Sequence, residues 1–107
     1  MNQLVNRPVF NPEKPACCPA YLDWVRTLPC AVTGLPAECA HHLIGHGRLS
    51  QRRSSDFFAF PLINILHDEQ HSTGIHRLGV KKWEHLHGSQ WEHVARTLEK
   101  FVKEARA

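Results

Sequence analysis

Residues 39–43 read Cys39-Ala40-His41-His42-Leu43. A short, mostly apolar run closing on two adjacent imidazoles predicts a strand that delivers both histidines at its end. Side chains alternate along a strand, so if His41 faces one side, His42 faces the other. Just upstream, Thr33-Gly34-Leu35-Pro36 has the composition of a turn, and Cys30 to Leu43 is expected to form two short strands around it. Eight of the nine histidines lie between His41 and His87. Imidazole is the commonest metal ligand among side chains and the base with an ordinary pKa closest to neutrality, so this crowding points to a metal, a proton acceptor, or both.

Outward from that strand, the N-terminal residues 1–16 carry Pro8, Pro12 and Pro15 and few patterned apolar residues, which predicts an extended arm ahead of a single domain, 17–107. Pro19 suits the first turn of a helix running to Leu28, with Leu22, Val25 and Leu28 on one stripe and Pro29 ending it. Gly45 to Ser55 is a polar loop. Phe57 to Leu66 is apolar and interrupted by Pro61, and Asn64 to Ser72 is expected to be a short helix with His67 and His71 on one face, closed by Ser72-Thr73-Gly74. A small helix follows around Val80 to Leu86. Ser89 then opens a capping box with Glu92, and Trp91, Val94, Ala95, Leu98, Phe101, Val102 and Ala105 form the apolar stripe of a last helix. Trp83 and Trp91 are both expected in the core. The class is α+β.

At 107 residues and 42% hydrophobic content, the chain can bury one small core. No run approaches a membrane span, and the N-terminus, with Asn2, Gln3, Asn6 and Arg7, lacks a signal-peptide core, so a cytoplasmic protein without membrane contact is expected. Cys17, Cys18, Cys30 and Cys39 are accordingly expected to be reduced. The net charge of +3 is mild, so a case for nucleic acid rests on local clusters: Arg48, Arg52 and Arg53 in the polar loop, and Arg77, Lys81 and Lys82 beyond His76. Both sets could grip phosphates without reading sequence.

A divalent ion bound by His41 and by two of His67, His71 and His76 is physically sensible, and spacing does not choose between the pairs. His42, turned away from the ion, would be free to take a proton from water attacking a phosphodiester, while the cation stabilises charge on the phosphate.

These residues also carry a family resemblance. The segments Leu28-Pro29-Cys30-Ala31-Val32-Thr33-Gly34, Ala40-His41-His42-Leu43, Asp56 with Phe60-Pro61-Leu62, and His67-Asp68-Glu69-Gln70-His71 together resemble HNH, or His-Me finger, nucleases. More narrowly, they resemble a phage-encoded branch of recombination-enhancement type. The likeness spans roughly Cys30 to Gly88. It implies a ββα-metal core with flanking N-terminal and C-terminal helices, acting as an endonuclease on DNA in recombination or DNA processing, with a recombinase filament as a possible partner. It further implies His42 as general base, His41 among the ligands of one divalent ion (magnesium, manganese, zinc or nickel), and His67 with His71 or His76 completing the set. Asp56 would orient a histidine. Two cysteine pairs that form a structural zinc site in many relatives are broken here by Thr33, Ile63 and Leu66, so Cys30 and Cys39 are expected to serve as buried hydrophobes. The rival expectation is a non-catalytic, zinc-stabilised nucleic-acid-binding module in which histidines and Cys30 or Cys39 close a tetrahedral site.

Overall fold

A computed structural model describes residues 16–45 and 54–106. Apart from Ala16, the expected arm lies outside the described residues, as do Arg48, Arg52 and Arg53 of the polar loop. Within them the chain is a small α+β domain: helix α1 (Pro19–Arg26), strand β1 (Cys39–His42), strand β2 (Ala59–Leu62), and helices α2 (Ile75–Leu78), α3 (Val80–His87) and α4 (Gln90–Arg106). Single 3₁₀ turns at Asp56–Phe58 and Asn64–Leu66 flank β2.

The strand carrying the paired histidines forms, but its partner is not the local one expected. β1 pairs antiparallel with β2 in the register Cys39↔Leu62, Ala40↔Pro61, His41↔Phe60, His42↔Ala59. The segment before it closes instead as a tight turn bounded by one bridge between Pro29 and Pro36. Two prolines at that bridge supply no N–H, so the ladder cannot extend, and Gly34 turns the chain at φ +78°, a left-handed value suited to glycine. β2 is the better mate because all four of its residues are buried. Pro61 is tolerated there because its carbonyl faces away from β1, accepting the Ala31 N–H at 2.9 Å. The N–H that proline lacks would point the same way, so β1 loses no bond.

The helix expected over Asn64 to Ser72 is absent; a 3₁₀ turn and a series of tight turns take its place. Asp68 is the cause. Its carboxylate accepts the Gln70 N–H at 3.2 Å and the His71 ring at 2.6 Å, offering the backbone a turn in place of a helical bond. Thr73 Oγ1 reaches back to the Ile65 carbonyl at 2.8 Å, curling the segment on itself.

The core gathers Leu43, Phe60, Leu62, Leu66, Ile75, Trp83 and Val94. Trp83 is fully buried and its indole N–H donates to the Leu66 carbonyl at 3.1 Å, tying α3 to the turn that precedes His67. In α1 the buried residues are Tyr21 and Val25, with Leu28 just beyond, and Leu22 is only half-buried. α4 is rotated from its expected stripe. Val94 is buried and Phe101 packs on Tyr21 and Trp24, but Trp91 is 42% exposed and Val102 half exposed, while Gln90, His93 and Thr97 are buried. That rotation is compatible with burial because each of these polar side chains finds a partner: His93 Nε2 meets the His87 carbonyl at 2.8 Å, and Thr97 Oγ1 donates to the His93 carbonyl at 2.8 Å. Ser89 caps α4 as expected, accepting the Trp91 N–H, whereas Glu92 turns to Arg96 and leaves the capping box half made. No helix of the described residues is long and apolar enough to cross a membrane.

Candidate metal centre

Three elements meet around His41. β1 supplies His41 itself, the turn after Leu66 supplies His67, and the first turn of α2 supplies His76. Each offers one ring nitrogen, and the three nitrogens lie within 4.8 Å of one another. The rings stand roughly edge to face, with centroids 5.0 Å apart for His41 and His67, 5.4 Å for His41 and His76, and 4.8 Å for His67 and His76. The His76 N–H donates to the His67 carbonyl at 3.2 Å, which holds the two turns side by side. Gly74 makes that approach possible: a Cβ there would fall 1.9 Å from the Asp68 carbonyl oxygen.

His41 is 1% exposed. Its Nε2 lies 2.9 Å from Gln90 Oε1, and its buried Nδ1 has no hydrogen-bond partner among the described residues. An unpartnered buried polar nitrogen costs about 1–3 kcal/mol. Burial pushes the His41 pKa down to about 3, against the Gln90 hydrogen bond, which raises it, and with His67 and His76 adding repulsion. Burial, then the neighbouring His76, also lowers His67. His41 and His67 are therefore neutral at pH 7, the state in which imidazole binds a cation. His41, with one buried ring nitrogen left unpartnered and two further imidazoles beside it, fits a divalent ion in chemistry and spacing.

Across the strand stands a second pair. His42 Nε2 lies 2.8 Å from Asp56 Oδ1, and Asp56 is 2% exposed. The other carboxylate oxygen accepts the Cys18 N–H at 2.6 Å, and the Asp56 N–H donates to the Ala16 carbonyl at 2.9 Å. A carboxylate can only accept here, so the His42 ring donates from Nε2, and in its neutral form the lone pair lies at Nδ1.

A family model described as "Protein of unknown function (DUF968)" matches residues 9–104. The chain belongs to the DUF968 family. An E. coli (strain K12) relative described as "Uncharacterized protein YdfU" is 37% identical over 81 residues, which cover 75% of this chain and 22% of the relative. This DUF968 chain thus spans about a fifth of that relative's length. No solved structure matches it.

The DUF968 match contains every described residue of both clusters. Of the four histidines expected as ligands, the fold brings together His41, His67 and His76. His71 is turned away onto Asp68, pairing through Nδ1 at 2.6 Å. Arg77, Lys81 and Lys82 are exposed on α2 and α3, starting one residue beyond His76. Cys30 and Cys39 join no metal-binding group among the described residues. Cys30 is buried, and the Cys39 thiol donates to the Leu62 carbonyl at 3.3 Å, its pKa pushed up to about 11 chiefly by burial. Three contributors escaped the sequence reading. The Cys18 amide and Gln90 left no signal, since a backbone N–H and a polar helix-start residue look ordinary. Gly74 did leave one, as a glycine inside the segment that inserts His76.

Proposed function

We propose that this chain is a metal-dependent endonuclease that hydrolyses DNA phosphodiester bonds at an HNH-type, ββα-metal site. The observation that carries the reading is that adjacent residues of one strand belong to a three-histidine group, His41 with His67 and His76, and to a His42–Asp56 pair, with His42 close enough to act electrostatically on both His41 and His67. His41 through Nδ1, His67 and His76 would hold one divalent ion. When bound, such an ion supplies Lewis-acid stabilisation of charge on the phosphate and the leaving oxygen.

The chain's own residues account for the remaining work. His42 Nδ1 accepts the proton of the attacking water, and Asp56 holds the ring in the productive tautomer and stabilises the imidazolium that forms. Asp56 is in turn held by the Cys18 amide, so the base is oriented before substrate arrives. Arg77, Lys81 and Lys82 would grip flanking phosphates, with Arg48, Arg52 and Arg53 as further candidates. A closed structural zinc site is less well supported, because no cysteine joins the three histidines among the described residues.

The test is cleavage of supercoiled and single-stranded DNA by metal-stripped protein resupplied with magnesium, manganese, zinc or nickel. Wild type is expected to cut only with an ion. His42→Ala should bind metal as wild type does but cut about 10²- to 10⁴-fold more slowly, and Asp56→Asn should lose activity in the same direction. Tight metal binding without cutting by wild type under every ion would refute hydrolysis and favour a nucleic-acid-binding module.

A further inference from the structure

Gln90 is completely buried at the start of α4, a place where a glutamine would ordinarily be exposed. Both ends of its side-chain amide are occupied. Oε1 accepts the Ile44 N–H at 3.2 Å, and Nε2 donates to the Ile44 carbonyl at 2.8 Å. Its own N–H donates to Glu84 Oε2 at 2.8 Å. The Ile44 contacts decide which way the amide points, because the opposite orientation would set donor against donor and acceptor against acceptor.

The same Oε1 lies 2.9 Å from His41 Nε2. An amide oxygen can only accept, so the His41 ring must carry its proton on Nε2. The lone pair is thereby assigned to Nδ1, the buried nitrogen without a partner. A different tautomer would set two lone pairs against each other at Nε2 and place the proton at Nδ1, the nitrogen left without a partner.

We infer that Gln90 is the positioning residue of the metal centre, which it serves by locking His41 in the Nε2–H tautomer so that Nδ1 is its ligating nitrogen. This rests on the metal site proposed above. Partners of this kind fix the orientation of a ligating histidine and raise its basicity, and their loss typically costs about 10- to 100-fold in metal affinity.

Two readouts test the inference on the full chain, one of which needs no metal. Long-range ¹H–¹⁵N correlation spectra of the metal-free protein report the His41 tautomer, and calorimetric titration with zinc reports affinity. Wild type should show Nε2–H at His41. Gln90→Leu should lose that preference and bind zinc about 10- to 100-fold more weakly. Gln90→Glu keeps an acceptor toward both His41 and the Ile44 N–H, so it should retain the tautomer and bind zinc at least as well as wild type. That rescue would not follow if Gln90 merely braced Ile44, whose carbonyl loses its donor in this variant.

Nδ1–H in wild type would overturn the inference, as would a Gln90→Leu protein unchanged in tautomer and zinc affinity. If Gln90→Leu does not fold, the wild-type spectrum and Gln90→Glu still decide. Absence of zinc binding by wild type would refute the metal centre itself. It is told apart from failure of the Gln90 assignment by the tautomer spectrum, in which Nε2–H at His41 would still support Gln90 as the residue that orients the ring.

Discussion

Replacing Gly74 with alanine should dismantle the candidate site without touching any histidine. The added Cβ would lie 1.9 Å from the Asp68 carbonyl oxygen, a separation real Cβ atoms essentially never show, and 3.0 Å from the Asp68 N and C atoms. The obstacle is backbone held on both sides: the Asp68 N–H donates to Asn64, the Gly74 N–H to His71, and the Gly74 carbonyl accepts from Leu78 at 2.7 Å. Relief requires the turn carrying His67 to part from the start of α2, which carries His76. Gly74 sits at φ −72°, ψ 145°, which alanine adopts freely, so the substitution gains about 0.4–1 kcal/mol through the unfolded chain. Overpacking against backbone costs about 1–3 kcal/mol. The net loss of about 1–2 kcal/mol corresponds to a Tm lower by roughly 5–15 °C in a domain of this size. Zinc affinity should fall at least about tenfold, since two of the three imidazoles lose their relative placement. Thermal melting by circular dichroism and calorimetric zinc titration measure both. A variant that melts with wild type and binds zinc equally would refute the claim that this close approach builds the site.

Ligand choice and protonation give two more expectations. His76→Ala should weaken zinc binding by more than the roughly 10- to 100-fold that loss of an outer support costs, whereas His71→Ala should leave it unchanged; equal losses in the two variants would contradict the described cluster. In the metal-free protein, the folded-state pKa of His41 at about 3 lies below its ordinary 6.5, so between those values the unfolded chain binds more protons than the folded one. Stability from this group is fully present above pH 6.5 and is lost as pH falls, at up to about 1.4 kcal/mol per pH unit, with His67 adding in the same direction. Urea midpoints measured between pH 7 and 5 should drop accordingly and flatten in His41→Gln; a midpoint independent of pH in wild type would count against a buried neutral His41.

The strand with its two divergent histidines could be read directly from His41-His42 beside Cys39 and Ala40, because period-two alternation is a local property. Its partner could not. A turn at Thr33–Pro36 suggested the nearest upstream segment, yet pairing was decided by the full burial of Ala59–Leu62 and by the missing donors of Pro29 and Pro36. The choice between His71 and His76 turned on Asp68, whose short side chain captured His71 and broke the expected helix. The last helix was visible as a helix but not in its rotation, since apolar spacing ignored the partners available to Gln90, His93 and Thr97. Asp56 was expected to orient a histidine through the resemblance alone, and the fold places it 2.8 Å from His42.

The supports of the two adjacent histidines come from opposite directions along the chain. Asp56, behind His42, is held by the amide of Cys18, 38 residues earlier, and His41 is held by Gln90, 49 residues later. A nascent chain that has emerged only through β2 would possess both imidazoles and the aspartate, yet its His41 ring would be free to exchange its proton between nitrogens until residue 90 arrives. On the proposed reading of the site, the three-histidine group is complete only once residue 76 has emerged, and its His41 ring is oriented only when the last helix docks.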